Sequence, residues 1–78
     1  MASKIFVDVV VKYDADGNII PLAIGWEDGR VFEIDKVVDV RPAPSLKAGG
    51  QGLRFTCRIL NKYRYLFFED PRWFVEGN

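Results

Sequence analysis

The 78-residue chain predicts an all-β domain, a small antiparallel six-stranded barrel of the SH3-like kind with meander connectivity. Three observations predict it. Apolar and polar side chains alternate with the strand period of two over most of the chain. Turn signals interrupt the runs roughly every ten residues, the spacing of small all-β folds. Between the turns, β-branched and aromatic residues dominate, and these fit a pleated, half-buried surface. A chain this short buries only about 60% of its unfolded surface, so residues 1–78 hold one core and one domain. At 49% hydrophobic and 14% aromatic, that core needs neither a disulfide nor a metal.

The first strand covers Lys4 to Tyr13, with Ile5, Val7, Val9, Val11 and Tyr13 on one face and Asp8 and Lys12 on the other. Asp14-Ala15-Asp16-Gly17 is turn chemistry, and a four-residue loop there pairs Val11 with Ile20, Val9 with Leu22 and Val7 with Ile24. For the next turn, side-chain parity selects a three-residue loop, Glu27-Asp28-Gly29. A two-residue loop would set Ile24 opposite Glu33 and mix the core and solvent faces. With glycine in the left-handed position, Ile24 instead meets Phe32 and Leu22 meets Ile34. Arg30 then lies within reach of the Trp26 indole.

A long third strand, Arg30 to Arg41, carries Phe32, Ile34, Val38 and Val40 inward, with a bulge or bend expected near Asp35. Pro42-Ala43-Pro44 ends its pairing, and the segment through Gly52 forms the one sizeable loop, with a helical turn allowed over Ser45–Ala48. Leu53, Phe55, Cys57 and Ile59 alternate inward along the fourth strand. A short turn at Asn61 and Lys62 leads into the fifth, Tyr63 to Phe68. The turn Glu69-Asp70-Pro71-Arg72 precedes a closing strand, Trp73 to Val75.

Composition narrows the function. There is no histidine and Cys57 is the single cysteine, so an intrachain disulfide and the usual zinc frameworks are both excluded. Cys57 points inward by its alternation with Phe55 and Ile59 and has no histidine to activate it, so a buried structural thiol is expected. Asp14, Asp16 and Asn18 resemble half of a calcium loop, but no bidentate Glu follows at the needed distance. Gly49-Gly50-Gln51-Gly52 lacks the ending and helix context of a phosphate loop. Glu69 and Asp70 are read as a solvated turn. No catalytic residue, metal or cofactor is expected, and the chain is read as a non-enzyme. The apolar run after Lys4 is broken by Asp8, no stretch reaches the roughly 20 residues needed to span a bilayer, and a cytoplasmic location without membrane contact is expected.

Eleven basic and eleven acidic residues cancel overall, but their distribution is uneven. Arg41, Lys47, Arg54, Arg58, Lys62 and Arg64 fall in residues 41–64, which contain no acid. The expected hairpin sets Arg58 opposite Tyr65, Thr56 opposite Phe67 and Arg54 opposite Glu69, on the face away from Phe55 and Cys57. Such an arginine and aromatic platform suits a protein partner, because Tyr, Trp and Arg dominate interface energetics. It also suits single-stranded nucleic acid, through base stacking and phosphate contacts. If Trp73, Phe74 or the long loop folds over the platform, it becomes a second layer of core instead. Zero net charge favours the protein partner. The binding candidates are Arg54, Arg58, Tyr63, Arg64 and Tyr65, supported by Arg41 and Lys47. A homodimer through the edge of the first or last strand is a further route, helped by outward Phe6 and Val10.

The pattern Pro21, Trp26, Gly29-Arg30, Phe32 and Ile34, followed by Cys57-Arg58-Ile59 and a closing Trp73, resembles small bacterial domains of uncharacterised function that share a Pro, a Trp-x-x-Gly-Arg-x-aromatic run and a terminal Trp. The resemblance implies the all-β fold and no particular activity.

Overall fold

The structure is a computed structural model of the chain and describes residues 3–44 and 51–77. Seven strands form one antiparallel sheet: β1 (Ser3–Tyr13), β2 (Ile19–Gly25), β3 (Val31–Glu33), β4 (Lys36–Pro44), β5 (Gln51–Ile59), β6 (Lys62–Glu69) and β7 (Arg72–Gly77). Their order is β3-β2-β1-β7-β6-β5-β4, two meanders joined where the last strand pairs with the first. The sheet curls into a half-barrel rather than the closed six-stranded barrel expected. The extra strand arises where a bend was anticipated. At Ile34 and Asp35 the chain turns away from its neighbour, so the expected third strand becomes two. The Ile34 amide donates to the Leu22 carbonyl on β2, and the Asp35 amide to the Arg58 carbonyl on β5, both at 2.9 Å. Two consecutive residues thus bind opposite wings of the sheet, which is what curls it.

The length of β1 lets it serve both wings. Residues Ser3 to Val7 pair with β7, and Asp8 to Tyr13 pair with β2. The inner face gathers Ile24, Phe55, Cys57, Leu66 and Trp73 as its buried core, with Val7, Val9 and Val11 packed against them. Trp73 lies between Phe68 and Phe55, at ring distances of 4.5 and 5.3 Å.

Several local registers depart from expectation. The first turn spans five residues, so Tyr13 faces Ile19 and Val11 faces Pro21; a bulge then skips Leu22, and Val9 meets Ile24. Pro21 is buried, while Leu22 is 42% exposed because the bulge turns it out of the core. Asp14 determines the turn length. Its carboxylate accepts the amides of Asp16 and Asn18 at 2.9 and 2.8 Å and the Asn18 side-chain amide at 3.0 Å. The Asp14 oxygens that suggested a cation loop are therefore occupied by amides of the turn itself.

These bonds, the Asn18 side chain first, hold the Asp14 carboxyl below its ordinary value of 3.8. A carboxyl whose folded-state pKa is depressed stabilises the fold above its unfolded pKa, and that contribution disappears as pH falls through the folded value. The stability difference between the wild type and Asp14→Ala is therefore expected to shrink below about pH 4 in urea melts. A difference unchanged from neutral pH into strong acid would show that the carboxylate's charge has no part in the turn.

The second turn follows expectation. The Trp26 amide donates to the Arg30 carbonyl at 2.7 Å and the Gly29 amide to the Trp26 carbonyl at 3.0 Å. Gly29 takes φ +90°, a conformation that strains any residue with a Cβ, and Ile24 faces Phe32. The Arg30 guanidinium, however, pairs with Asp28 at 2.6 Å and lies over Phe32, 5.5 Å from the ring centre, rather than over Trp26.

β4 pairs with β5 through both prolines, contrary to the expected stop. In an antiparallel strand the amides of alternate residues point to opposite sides, and β4 is an edge, so Pro42 and Pro44 leave their missing donors on the unpaired side. A second bulge, at Val38, shifts the register between Val37 and Asp39. Val37, and not Val38, reaches the core, and Val38 and Val40 are 43% and 48% exposed. The stretch containing Ser45–Ala48, Gly49 and Gly50 lies outside the described residues, as does Lys47.

Candidate functional site

The β5–β6 hairpin turns on Leu60 and Asn61, both with positive φ (50° and 62°), one residue earlier than the expected Asn61-Lys62. This two-residue turn has the backbone twist that matches paired strands. Ile59 consequently faces Lys62, and every pairing above it moves by two residues: Arg58 faces Tyr63, Thr56 faces Tyr65 and Arg54 faces Phe67. A shift of two preserves parity, so the platform keeps its expected face while its partners change.

Directly opposed residues share a face. The outer face of the hairpin therefore carries Arg54, Arg58, Tyr63, Tyr65 and Phe67, and Arg41 joins it from β4 opposite Arg54. Arg64 faces Cys57 across the hairpin and belongs to the inner side, away from the platform. Tyr63 and Tyr65 are 66% and 52% exposed. Arg54 lies over the Tyr65 ring at 4.6 Å, with its Nε shut from solvent and lacking an acceptor among the described residues. Holding an Arg this way costs desolvation, which the ring contact partly offsets. Arg58 projects to the turn and donates to the Asn61 side-chain oxygen at 2.8 Å. Arg41 is paired with Asp39 at 2.8 Å.

Part of the face comes from the chain ends, from residues that were not among the expected binding candidates; Phe6 was expected as an outward dimer contact and Phe74 as a cover for the platform. Phe6 and Phe74 make an edge contact at 5.8 Å, Phe74 stacks on Phe67 at 5.0 Å with planes 6° apart, and Phe67 meets Tyr65 at 6.4 Å. A row of four rings thus crosses β1, β7 and β6. Cations flank it: Arg72 lies over Phe6 at 3.5 Å, and Lys4 over Phe74 at 4.8 Å while pairing with Glu69 at 3.0 Å. Glu69 is therefore an ion-pair partner and not part of a solvated turn. The available signal was outward Phe6 and Phe74, each out of phase with the core alternation.

The expected alternative, a second layer of core, is met at one end only. Phe74 covers one end of the row and is buried, whereas Trp73 points to the inner core and the two tyrosines remain open. The cation-aromatic pair is Arg54 with Tyr65, not Arg58 with Tyr65.

Cys57 is fully buried, and that burial pushes its thiol up to about 11. A thiol so placed is protonated at neutral pH and is a poor nucleophile. Among the described residues no group of His, Cys, Asp and Glu is placed to hold a metal ion, and no helix is long and apolar enough to cross a membrane. β1 and β7 pair with one another in the middle of the sheet, so neither is the outer edge strand expected from the sequence; the sheet's outer edges are β3 and β4. Compared with protein-family models, curated proteins and solved structures, the chain matches none.

Proposed function

We propose that this protein is a non-enzymatic interaction module that engages a protein partner through the outer face of the β5–β6 hairpin. The observation that carries the proposal is the exposure of Tyr63 and Tyr65 beside Arg58 and Arg54 on a rigid two-strand platform. Rings held on strands lose little conformational entropy when a partner covers them, and Tyr and Arg are the side chains that most often anchor interfaces. The curled sheet acts, as in SH3-like modules, as a scaffold for that face.

A protein partner is favoured over single-stranded nucleic acid by the carboxylates at the borders of the face. Asp39 neutralises Arg41, and Glu69 neutralises Lys4, leaving fewer cations for phosphates. The absence of histidine from the sequence and the inert Cys57 thiol argue against catalysis. A free buried cysteine also fits a reducing compartment such as the cytoplasm.

The test is affinity capture from cell extract with the wild type and Arg58→Ala, alongside titration with single-stranded DNA and RNA. Arg58 is exposed and its guanidinium donates to a turn side chain, a contact whose loss leaves the backbone ladder intact, so the variant is expected to lose the captured protein while its urea midpoint stays put. Oligonucleotide-induced amide shifts on residues 54–67 at about 50 mM salt that vanish near 200 mM would replace the protein partner with nucleic acid.

A further inference from the structure

The sheet is split at one end. β6 and β7 pair only through Phe67 with Phe74, Phe68 with Trp73 and Glu69 with Arg72. The same ladder continued would join Leu66 to Val75, Tyr65 to Glu76 and Arg64 to Gly77, and none of these pairs forms. Instead Lys62–Leu66 stay with β5, and Val75–Gly77 stay with β1. The wings part and leave a hollow of about 730 Å³, with Ile24, Ile59 and Val75 in its wall and Lys62, Arg64 and Tyr65 on its β6 side. That volume falls within the range of ligand-binding pockets.

Alternation along the strand decides which main-chain groups face the split. Lys62 opposes Ile59 across a two-residue turn, so Lys62, Arg64 and Leu66 direct their backbone groups toward β5. The amides and carbonyls of Tyr63 and Tyr65 then point into the split, an unpaired strand edge inside the protein. The side chains beside this edge are also uncommitted. Among the described residues neither Lys62 nor Arg64 has a carboxylate partner.

We infer that the split receives an extended acidic peptide, which adds as a strand along the free edge of β6. Strand addition draws affinity from main-chain hydrogen bonds and specificity from alternate side chains. Cross-strand pairing dictates the sequence it recognises: acids opposite Lys62 and Arg64 on the inner side, and aromatic or β-branched residues opposite Tyr63 and Tyr65 on the outer side. The peptide thus alternates acidic and apolar residues. This goes beyond the partner-binding face, because it depends on Lys62, Arg64 and the backbone edge and not on Arg54 or Arg58.

The probe is a pool of end-capped octapeptides in which glutamate alternates with Val, Ile, Phe or Tyr, with a lysine-for-glutamate pool as control, followed by amide-resolved NMR on the full chain. The glutamate pool is expected to shift residues 62–66 and 75–77 and to slow amide exchange at Tyr63 and Tyr65. The double variant Lys62→Glu with Arg64→Glu is expected to bind the glutamate pool about tenfold more weakly and to gain affinity for the lysine pool, a gain that an unfolded variant could not show. No shift with the glutamate pool overturns the inference. Shifts confined to residues 54–58 and Asp39 also overturn it, while leaving the outer-face proposal standing.

Discussion

Trp73→Ala is expected to abolish cooperative unfolding or to remove most of the protein's stability. Trp73 is 7% exposed, packs on Phe55 and Phe68, and sits on β7 opposite Val7 of β1 and Phe68 of β6. It therefore touches the core where the two wings of the sheet are joined. Removing a buried aromatic ring costs about 3–5 kcal/mol through lost burial and the cavity left behind. A domain of this size has a total stability of about 4–12 kcal/mol at the usual stability per residue. A urea melt followed by circular dichroism reads the effect directly. Trp73→Phe should retain a cooperative transition, because a ring still occupies the site. A loss below about 1 kcal/mol for the alanine variant would mean that Trp73 does not occupy the core as described.

Tyr65→Ala should weaken binding of the captured partner by about 30-fold, the roughly 2 kcal/mol that marks an interface hot spot. The ring is 52% exposed, carries the Arg54 guanidinium at 4.6 Å and ends the aromatic row at Phe67. Its removal also releases Arg54, so two contact groups are lost together. The accompanying loss of fold stability is expected to be about 0.5–1.5 kcal/mol, the worth of an aromatic contact and a partly exposed cation-aromatic pair. Calorimetric titration of the partner into wild type, Tyr65→Ala and Tyr65→Phe separates the ring from the hydroxyl. Destabilisation with undiminished affinity would make the outer face a second packing layer instead of a contact surface.

Turn chemistry and parity carried the local structure. Glu27-Asp28-Gly29 was legible because only one loop length keeps Ile24 and Phe32 on the same face, and the structure forms that pair. The inward set Leu53, Phe55, Cys57 and Ile59 was legible from alternation, and the arginine and tyrosine face from the same rule read on the other side. Register was less legible. A five-residue first turn and the bulge at Leu22 arise from the hydrogen bonds of Asp14 and from fitting Pro21 into the core, and strand periodicity encodes neither. The prolines at 42 and 44 misled for a related reason. Proline stops an interior strand but not an edge, and edge position belongs to the whole sheet.

The sequence by itself determined the all-β class, the turn positions to within a residue or so, and the inward face of the fourth strand. All of these follow from forces acting over a few neighbouring residues: backbone sterics, local hydrogen bonds and the period of two. Only the tertiary structure decided that β1 pairs with β7, that the sheet curls open instead of closing, and that Lys4, Phe6, Arg72 and Phe74 complete the aromatic face. It also decided that β6 and β7 part after three pairs. These features depend on which strands meet across some seventy residues of chain, and such a choice is made by the fit of the assembled core, not by any local pattern.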